Sequence, residues 1–223
     1  VEDEYRLTVG AKAEVPAGMS VTESKDEIIV ANKAMRLTWS RQHAMPCLVE
    51  LAVDGRSQTI ASGDGDGVYV IEQTGARCVL GGEKAELMFD IETRNALRTV
   101  IRVEGWFVRG DGERVARGVV RFDCRLGQPW MKVEHTLVLT RDNDEVWFKE
   151  VALRFPVQTR SQASALFGIA GEKARAVPCA AKSEAYVFQA QHPIYHRRES
   201  ECVVGLDAQT LANSREAEGW ADV

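Results

Sequence analysis

The chain has 223 residues, 45% of them hydrophobic and 27% charged, a balance typical of a globular protein that buries a full core. The net charge of -5 at pH 7 argues against a nucleic-acid partner, because binding a phosphate backbone requires a basic face. The sequence contains no run of about 18 apolar residues, so it predicts no transmembrane helix.

The N-terminal segment differs from a signal peptide, because Val1 to Glu4 are acidic where a signal peptide begins with basic residues. The sequence also begins without an initiator Met, so we expect a processed, trimmed or excised product. Its location stays open, and an extracellular or surface-associated one is compatible with the sequence. Residues 5–9 alternate like a strand, and 15–18 have the composition of a linker. We predict that 1–18 are a strand and linker, either the end of a preceding domain or packed on this one, and that 19–223 form one β-sandwich domain.

Polar and apolar residues alternate along much of the next part of the chain, which indicates strands with one buried face. The first two strands form a predicted hairpin through Asn32 and Lys33, and the next two form another around Thr74 and Gly75. A further strand carries Leu87 and Phe89 on one face. These five predicted strands cover residues 27–30, 36–40, 68–71, 77–80 and 86–93.

The strongest alternation lies between residues 97 and 157, where short turns separate four runs of about ten residues. It predicts an antiparallel meander with strands at 97–108, 115–126, 130–140 and 146–155. After Pro156 the pattern predicts strands at 163–169 and 185–189, and a loop or short helical turn at 174–183. No three-turn helical stripe is present. The predicted fold class is all-β, an antiparallel β-sandwich.

The five cysteines are scattered and form no CxxC pair, so the sequence predicts neither a metal site nor a dithiol redox site. We expect reduced structural cysteines. Cys124 alternates with Val120 and Phe122 and is predicted to be buried as a small hydrophobic residue.

Two further segments resemble functional sites, but a turn explains the first better and a place in the core explains the second better. In residues 62–67 the spacing of Asp64 and Asp66 resembles half of a calcium loop, but Gly75 stands where an EF-hand needs Glu, and we predict a turn. Its glycines do not match the dinucleotide-binding motif, and no helix follows. His135 is predicted to be a core residue, while Glu134 faces the opposite side and could act as a base only beside a groove.

The segment 192–198 is the strongest candidate binding site in the sequence. An i,i+4 histidine pair could chelate zinc on a helix, but Pro193 disfavours a helix there. Tyrosine offers a stacking face for a sugar and arginine a fork of hydrogen-bond donors. We therefore predict an exposed loop, for which plain solvation is the favoured interpretation and sugar binding the other. The predicted carbohydrate-binding residues are His192, Tyr195, His196, Arg197 and Arg198.

The meander carries a resemblance to a known family. The sequences LRTVIRVEG at 97–105, DG at 111–112 and RFDCRLGQPWMKVEHT at 121–136 resemble the central sandwich of the exo-rhamnogalacturonan lyase (YetA-like) family. AYVFQ at 185–189 and AEGWADV at 217–223 are similar to the end of that sandwich. The resemblance implies a supersandwich of the galactose-mutarotase type, set between a small barrel and a large helical toroid. No catalytic residue of the family can be matched to this chain, and Cys124 and Arg125 replace a more usual aromatic pair.

The resemblance implies the β-sandwich module of a polysaccharide lyase-like protein, which contributes to a carbohydrate groove or scaffold and is inactive alone. A polysaccharide ligand and neighbouring domains or identical copies are its expected partners, and no cofactor is expected. The alternative is a non-catalytic structural or adhesive module, such as a surface or virion component. A free-standing mutarotase-like enzyme ranks last, because no acid–base pair can be identified.

Overall fold

The computed structural model describes residues 18–142, 144–158, 164–169, 174–178, 185–194, 197–206, 209–214 and 219–222. These residues form antiparallel strands joined by turns and one 3-10 turn, Glu83–Ala85, so the predicted all-β class is confirmed. The chain divides into two compact units, Val1–Gln158 and Thr159–Val223. Among the described residues we find no helix with the length and apolar character that crossing a membrane requires. The predicted strand at 5–9 lies outside the described residues, and the predicted domain limits stay a prediction.

The first unit begins with a five-stranded sheet in which each strand pairs with the next along the chain. The predicted hairpin through Asn32 is confirmed. The Asn32 side-chain oxygen accepts hydrogen bonds of 2.7 Å from the backbone N–H groups of Ala34 and Met35, which fixes the turn. The five strands are β1 (Ser20–Glu23), β2 (Glu27–Ala31), β3 (Met35–Ser40), β4 (Leu48–Val53) and β5 (Arg56–Ser62).

A seven-stranded sheet follows in the same unit. Its strands are β6 (Val68–Glu72), β7 (Arg77–Val79), β8 (Met88–Arg94), β9 (Arg98–Val108), β10 (Arg114–Arg125), β11 (Met131–Leu139) and β12 (Phe148–Leu153). The strand order is β11-β10-β9-β7-β6-β12, and β8 also pairs with β9.

The predicted four-strand meander is wrong at its last strand. Strands β9, β10 and β11 are neighbours, but β12 pairs with β6 at the opposite edge of the sheet. There Val151 lies opposite Val70 and Leu153 opposite Val68, so apolar residues meet across the two strands. Two-residue alternation determines which face a side chain occupies but not which strand lies beside it, and this is why the prediction failed.

The core of the first unit lies between the inner faces of its two sheets. The rings of Trp39 from β3 and Phe122 from β10 meet edge to face with centroids 5.2 Å apart. Both side chains are fully buried, as is Cys124, whose predicted burial is confirmed. This shared core makes the first unit a sandwich of two antiparallel sheets.

The second unit contains two three-stranded sheets, ordered β14-β13-β18 and β15-β16-β17. Its strands are β13 (Ser164–Ile169), β14 (Arg175–Pro178), β15 (Ala185–Ile194), β16 (Arg197–Leu206), β17 (Gln209–Ser214) and β18 (Gly219–Asp222). The prediction of a loop or helical turn at 174–183 is wrong for β14. Val177 pairs with Ala165 and both are buried, but four residues are too few to show an alternation in the sequence.

Candidate functional site

The segment 63–67 connects the last strand of the five-stranded sheet to the first strand of the seven-stranded sheet. It lines a cleft of about 330 Å³, which we call the end cleft, within the volume range of protein ligand sites. The residues Met45, Arg77, Arg154 and Phe155 also line the cleft. Polar and apolar side chains therefore share one concave surface.

Two glycines allow the close packing of this segment. A Cβ on Gly67 would lie 2.2 Å from the carbonyl oxygen of Arg154, and the same Gly67 accepts a hydrogen bond of 2.7 Å from the Arg154 N–H. Gly65 has φ +77°, and a Cβ there would lie 2.5 Å from Cβ of His43. The glycine-rich sequence thus serves close backbone approach.

The carboxylates of this segment have structural partners. The backbone N–H of Asp66 donates to Oδ1 of Asp64 at 3.1 Å, which confirms the predicted turn. Asp66 in turn lies 2.8 Å from Nδ1 of His43. No group of three or more His, Cys, Asp or Glu side chains that could hold a metal is present among the residues that the structure describes.

The arginines of the end cleft differ from most others in the described chain. Arg77 donates to the backbone oxygen of Asp66 at 2.9 Å and stacks over the Tyr69 ring at 4.1 Å. Within the described ranges neither Arg77 nor Arg154 has a carboxylate within 4.0 Å. The arginines that do form ion pairs there are Arg36, Arg41, Arg94, Arg98, Arg102, Arg109, Arg114, Arg117, Arg121, Arg125 and Arg141. Two residues that line the cleft therefore carry guanidinium groups whose donors no carboxylate occupies in the described chain.

Tyr69 connects this region to the edge strand β12. Its hydroxyl donates to Oε1 of Glu150 at 2.8 Å. That hydrogen bond, together with burial and the charge of Glu150, raises the pKa of Tyr69 above its usual value of 10.0. The phenol is consequently protonated at neutral pH.

The predicted position of His135 on the apolar face of β11 is confirmed, but the side chain is only half-buried. Its ring lies on the inner side of β11, 5.8 Å from the Phe107 ring, and its buried Nε2 has no hydrogen-bond partner in the described structure. Desolvation lowers the pKa of His135 below 6.5. Glu134 is exposed and pairs with Lys132 at 2.5 Å, as a solvated surface carboxylate does.

The described cysteines fit their predicted structural role. Cys47, Cys78 and Cys124 are free. Burial raises the pKa of Cys78 and of Cys124 to about 12, so both remain protonated thiols at neutral pH and are poor nucleophiles.

The predicted carbohydrate-binding segment 192–198 belongs to the second unit. His192 lies in β15, and Arg197 and Arg198 lie in β16, so the predicted exposed loop is wrong for these backbone positions. The pairing of Pro193 with Arg198 forms a ladder that brings the two ends of the segment together. Tyr195 and His196 lie outside the described residues, and the binding role of the segment stays a prediction.

The fold and the end cleft define an antiparallel all-β, sandwich-like protein with a mixed polar and apolar cleft. No protein-family model matches the chain, and a search of curated proteins finds no significant match. The resemblance to the exo-rhamnogalacturonan lyase family therefore stays a prediction that rests on the quoted strand motifs.

Sequence reasoning missed the arginines of the end cleft. Arg77 and Arg154 are distant in the chain, and neither belongs to a motif. The available signal was the glycine density of 63–67, because repeated glycines outside a hairpin turn mark a place where backbones approach closely.

Proposed function

We propose that this chain is the β-sandwich module of a polysaccharide lyase-like protein and that it binds carbohydrate in the end cleft. The observation that carries the proposal is that two residues lining the cleft, Arg77 and Arg154, carry guanidinium groups without a carboxylate partner in the described chain. A sugar hydroxyl or carboxylate can accept hydrogen bonds from the N–H donors that these groups do not use within the protein.

The remaining composition of the end cleft supports a sugar ligand. Asp64 and Asp66 supply acceptors for hydroxyl groups, and the partly exposed Phe155 supplies apolar contact for the carbon face of a ring. A ligand with alternating polar and apolar faces matches this surface better than a purely apolar or purely charged one does.

The same region supports binding without catalysis. A polysaccharide lyase needs a base that removes the proton from the carbon next to a uronate carboxylate. It also needs a positive group that stabilises the negative charge formed when that proton leaves. The Tyr69 phenol is held protonated by its raised pKa and donates a hydrogen bond to Glu150. His43 contacts Asp66 through its Nδ1 atom and is not among the described residues that line the end cleft. We infer that the chain alone turns over no substrate.

Calorimetric titration of the purified chain with soluble rhamnogalacturonan tests this function. We expect measurable binding, with affinity reduced about ten- to a hundredfold in Arg154→Gln, because a lost hydrogen bond from a charged donor costs about 1.5–3 kcal/mol. Arg56→Gln is the matched control, since Arg56 is exposed in the β4–β5 hairpin and has no ion pair within the described ranges. Absence of binding, or release of unsaturated products by the chain alone, would contradict the proposal.

One observation favours the second candidate, a structural or adhesive module. On edge strand β12 the side chains of Val151 and Leu153 are 48% and 42% exposed. An edge strand with exposed apolar residues can pair with a neighbouring domain or an identical copy. Size-exclusion chromatography at micromolar concentration separates the two: a defined oligomer without sugar affinity favours this candidate, and a monomer with sugar affinity favours the first.

A further inference from the structure

A second, smaller pocket of about 170 Å³ lies where the β6–β7 turn meets the connection before β12. Trp147 lines it and is 61% exposed. The Trp39 side chain, in contrast, is fully buried in the core. An indole that remains this open contributes little to the fold and is available for contact with a ligand.

The floor of this pocket is fixed by a buried carboxylate. The side chain of Glu72 is only 7% exposed, and its Oε2 atom lies 3.4 Å from Nη1 of Arg109. The hydroxyl of Thr74 donates to the same carboxylate at 3.4 Å. The backbone N–H of Gln73 donates to the carbonyl oxygen of Trp147 at 2.9 Å, which anchors the indole-bearing residue to the turn. The site is therefore preorganised.

Two polar side chains beside the indole are without a partner in the part of the chain that the structure describes. The amide of Gln73 and the carboxylate of Glu145 line the pocket and form no side-chain hydrogen bond or ion pair there. An amide supplies both donor and acceptor, and a carboxylate supplies acceptors. A flat apolar surface next to such groups fits a sugar ring, whose carbon face stacks on indole while its hydroxyls bond to them.

The pocket and the end cleft lie at opposite ends of the same two strands. The cleft contains residues 66–67 before β6 and 154–156 after β12, and the pocket contains residues 72–74 and 145–147. The six residues of β12 between them correspond to about 20 Å at the rise of an extended strand. A single sugar cannot span that distance, but an oligosaccharide can.

We propose that Trp147 is a stacking subsite for a sugar ring, and that a carbohydrate chain bound in the end cleft extends along β12 to reach it. This inference rests on the proposed function and adds that the ligand is an oligosaccharide long enough for both sites. Tyr69, on whose ring Arg77 of the end cleft stacks, belongs to β6 and lies between the two sites along that strand.

Titration with rhamnogalacturonan oligosaccharides of increasing length tests the subsite. We expect wild-type affinity to rise with length until both sites are filled. Trp147→Ala should lower affinity for long chains about tenfold and leave that for short chains unchanged, because truncating an aromatic anchor removes most of its contribution. Trp147→Phe should retain most of the affinity. Trp130→Ala is the matched control, since Trp130 is 49% exposed at a different turn.

The outcomes separate the two proposals. Wild-type affinity of Trp147→Ala for long chains overturns the subsite and leaves the proposed function intact. An equal loss for short and long chains overturns the extended binding path. If the wild-type chain binds no oligosaccharide of any length, the proposed function fails and the subsite fails with it.

Discussion

The outer face of the seven-stranded sheet and the end cleft both carry arginines, but the two regions use them differently. On the outer face, Glu104 is shared by Arg102 and Arg117. Arg121 forms a two-pronged contact with Glu92, with its Nε atom 2.9 Å from Oε2. In the end cleft the guanidinium groups bond to no carboxylate within the described chain.

This difference shows that charge density alone does not identify a binding surface. A ligand that approaches the outer face must first replace an ion pair already formed, so the gain is offset by the pair that is lost. A guanidinium without a carboxylate partner has no such pair to lose. The end cleft, whose arginines have no carboxylate partner in the described chain, is therefore the better candidate site.

The largest effect is expected from breaking the end cleft itself. Gly67→Ala places a Cβ 2.2 Å from the carbonyl oxygen of Arg154, a backbone atom that cannot rotate away. The backbone must shift and strain the 2.7 Å hydrogen bond between Arg154 and Gly67. We expect a loss of about 3 kcal/mol in the free energy of unfolding, measured by urea denaturation with tryptophan fluorescence.

Gly110→Ala is the control for this substitution. A Cβ at Gly110 meets no atom within 4 Å, so the same chemical change should be neutral or slightly stabilising. If both variants are equally stable, the close approach in the end cleft does not constrain the fold.

A somewhat smaller effect is expected from removing the ion pairs of Glu104 on the outer face of the seven-stranded sheet. Glu104→Gln removes the charge that Arg102 and Arg117 share, on a side chain only 12% exposed. Nε of Arg117 is already buried without a partner in the described structure, so loss of the Glu104 charge leaves this guanidinium poorly compensated. We expect the free energy of unfolding to fall by about 2 kcal/mol.

The same carboxylate-to-amide change in the cleft sharpens the comparison. In Asp64→Asn the new side-chain oxygen can still accept the 3.1 Å hydrogen bond from the Asp66 N–H. We expect a change within about 0.5 kcal/mol. Equal losses in the two variants would show that the cleft carboxylate is as structural as Glu104.

Sequence patterns predicted most strands and the face that each side chain occupies. Alternation placed His135 and Cys124 on the inner face, because a pleated strand commits successive residues to opposite sides. The hairpin through Asn32 was readable because its turn chemistry is local.

Long-range partners could not be predicted in the same way. The pairing of β12 with β6 depends on residues about 80 positions apart, as the hydrogen bond between Tyr69 and Glu150 shows. The end cleft likewise joins Arg77 to Arg154, and neither position has a local signal. Pairing across such separations is decided by which apolar edges meet during folding.

The smallest effect is expected from protonation of His135 at acidic pH, on the inner face of the seven-stranded sheet. Desolvation alone lowers the pKa of His135, and the buried Nε2 has no acceptor in the described structure that would stabilise the charged ring. The unfolded chain therefore binds a proton more readily than the folded chain does. The stability that neutral His135 contributes is complete above pH 6.5 and is lost as the pH falls below that value.

His135→Gln isolates this contribution, because carboxylates also titrate at acidic pH. We expect the wild-type free energy of unfolding to decrease more steeply than that of the variant between pH 6.5 and pH 5, measured by denaturation at a series of pH values. Identical slopes would mean that the folded chain accommodates the imidazolium, which requires the edge strand β11 to open to water. In that case water would reach both faces of the sheet at the edge strand β11, and only the central strands would have an inner face that excludes it.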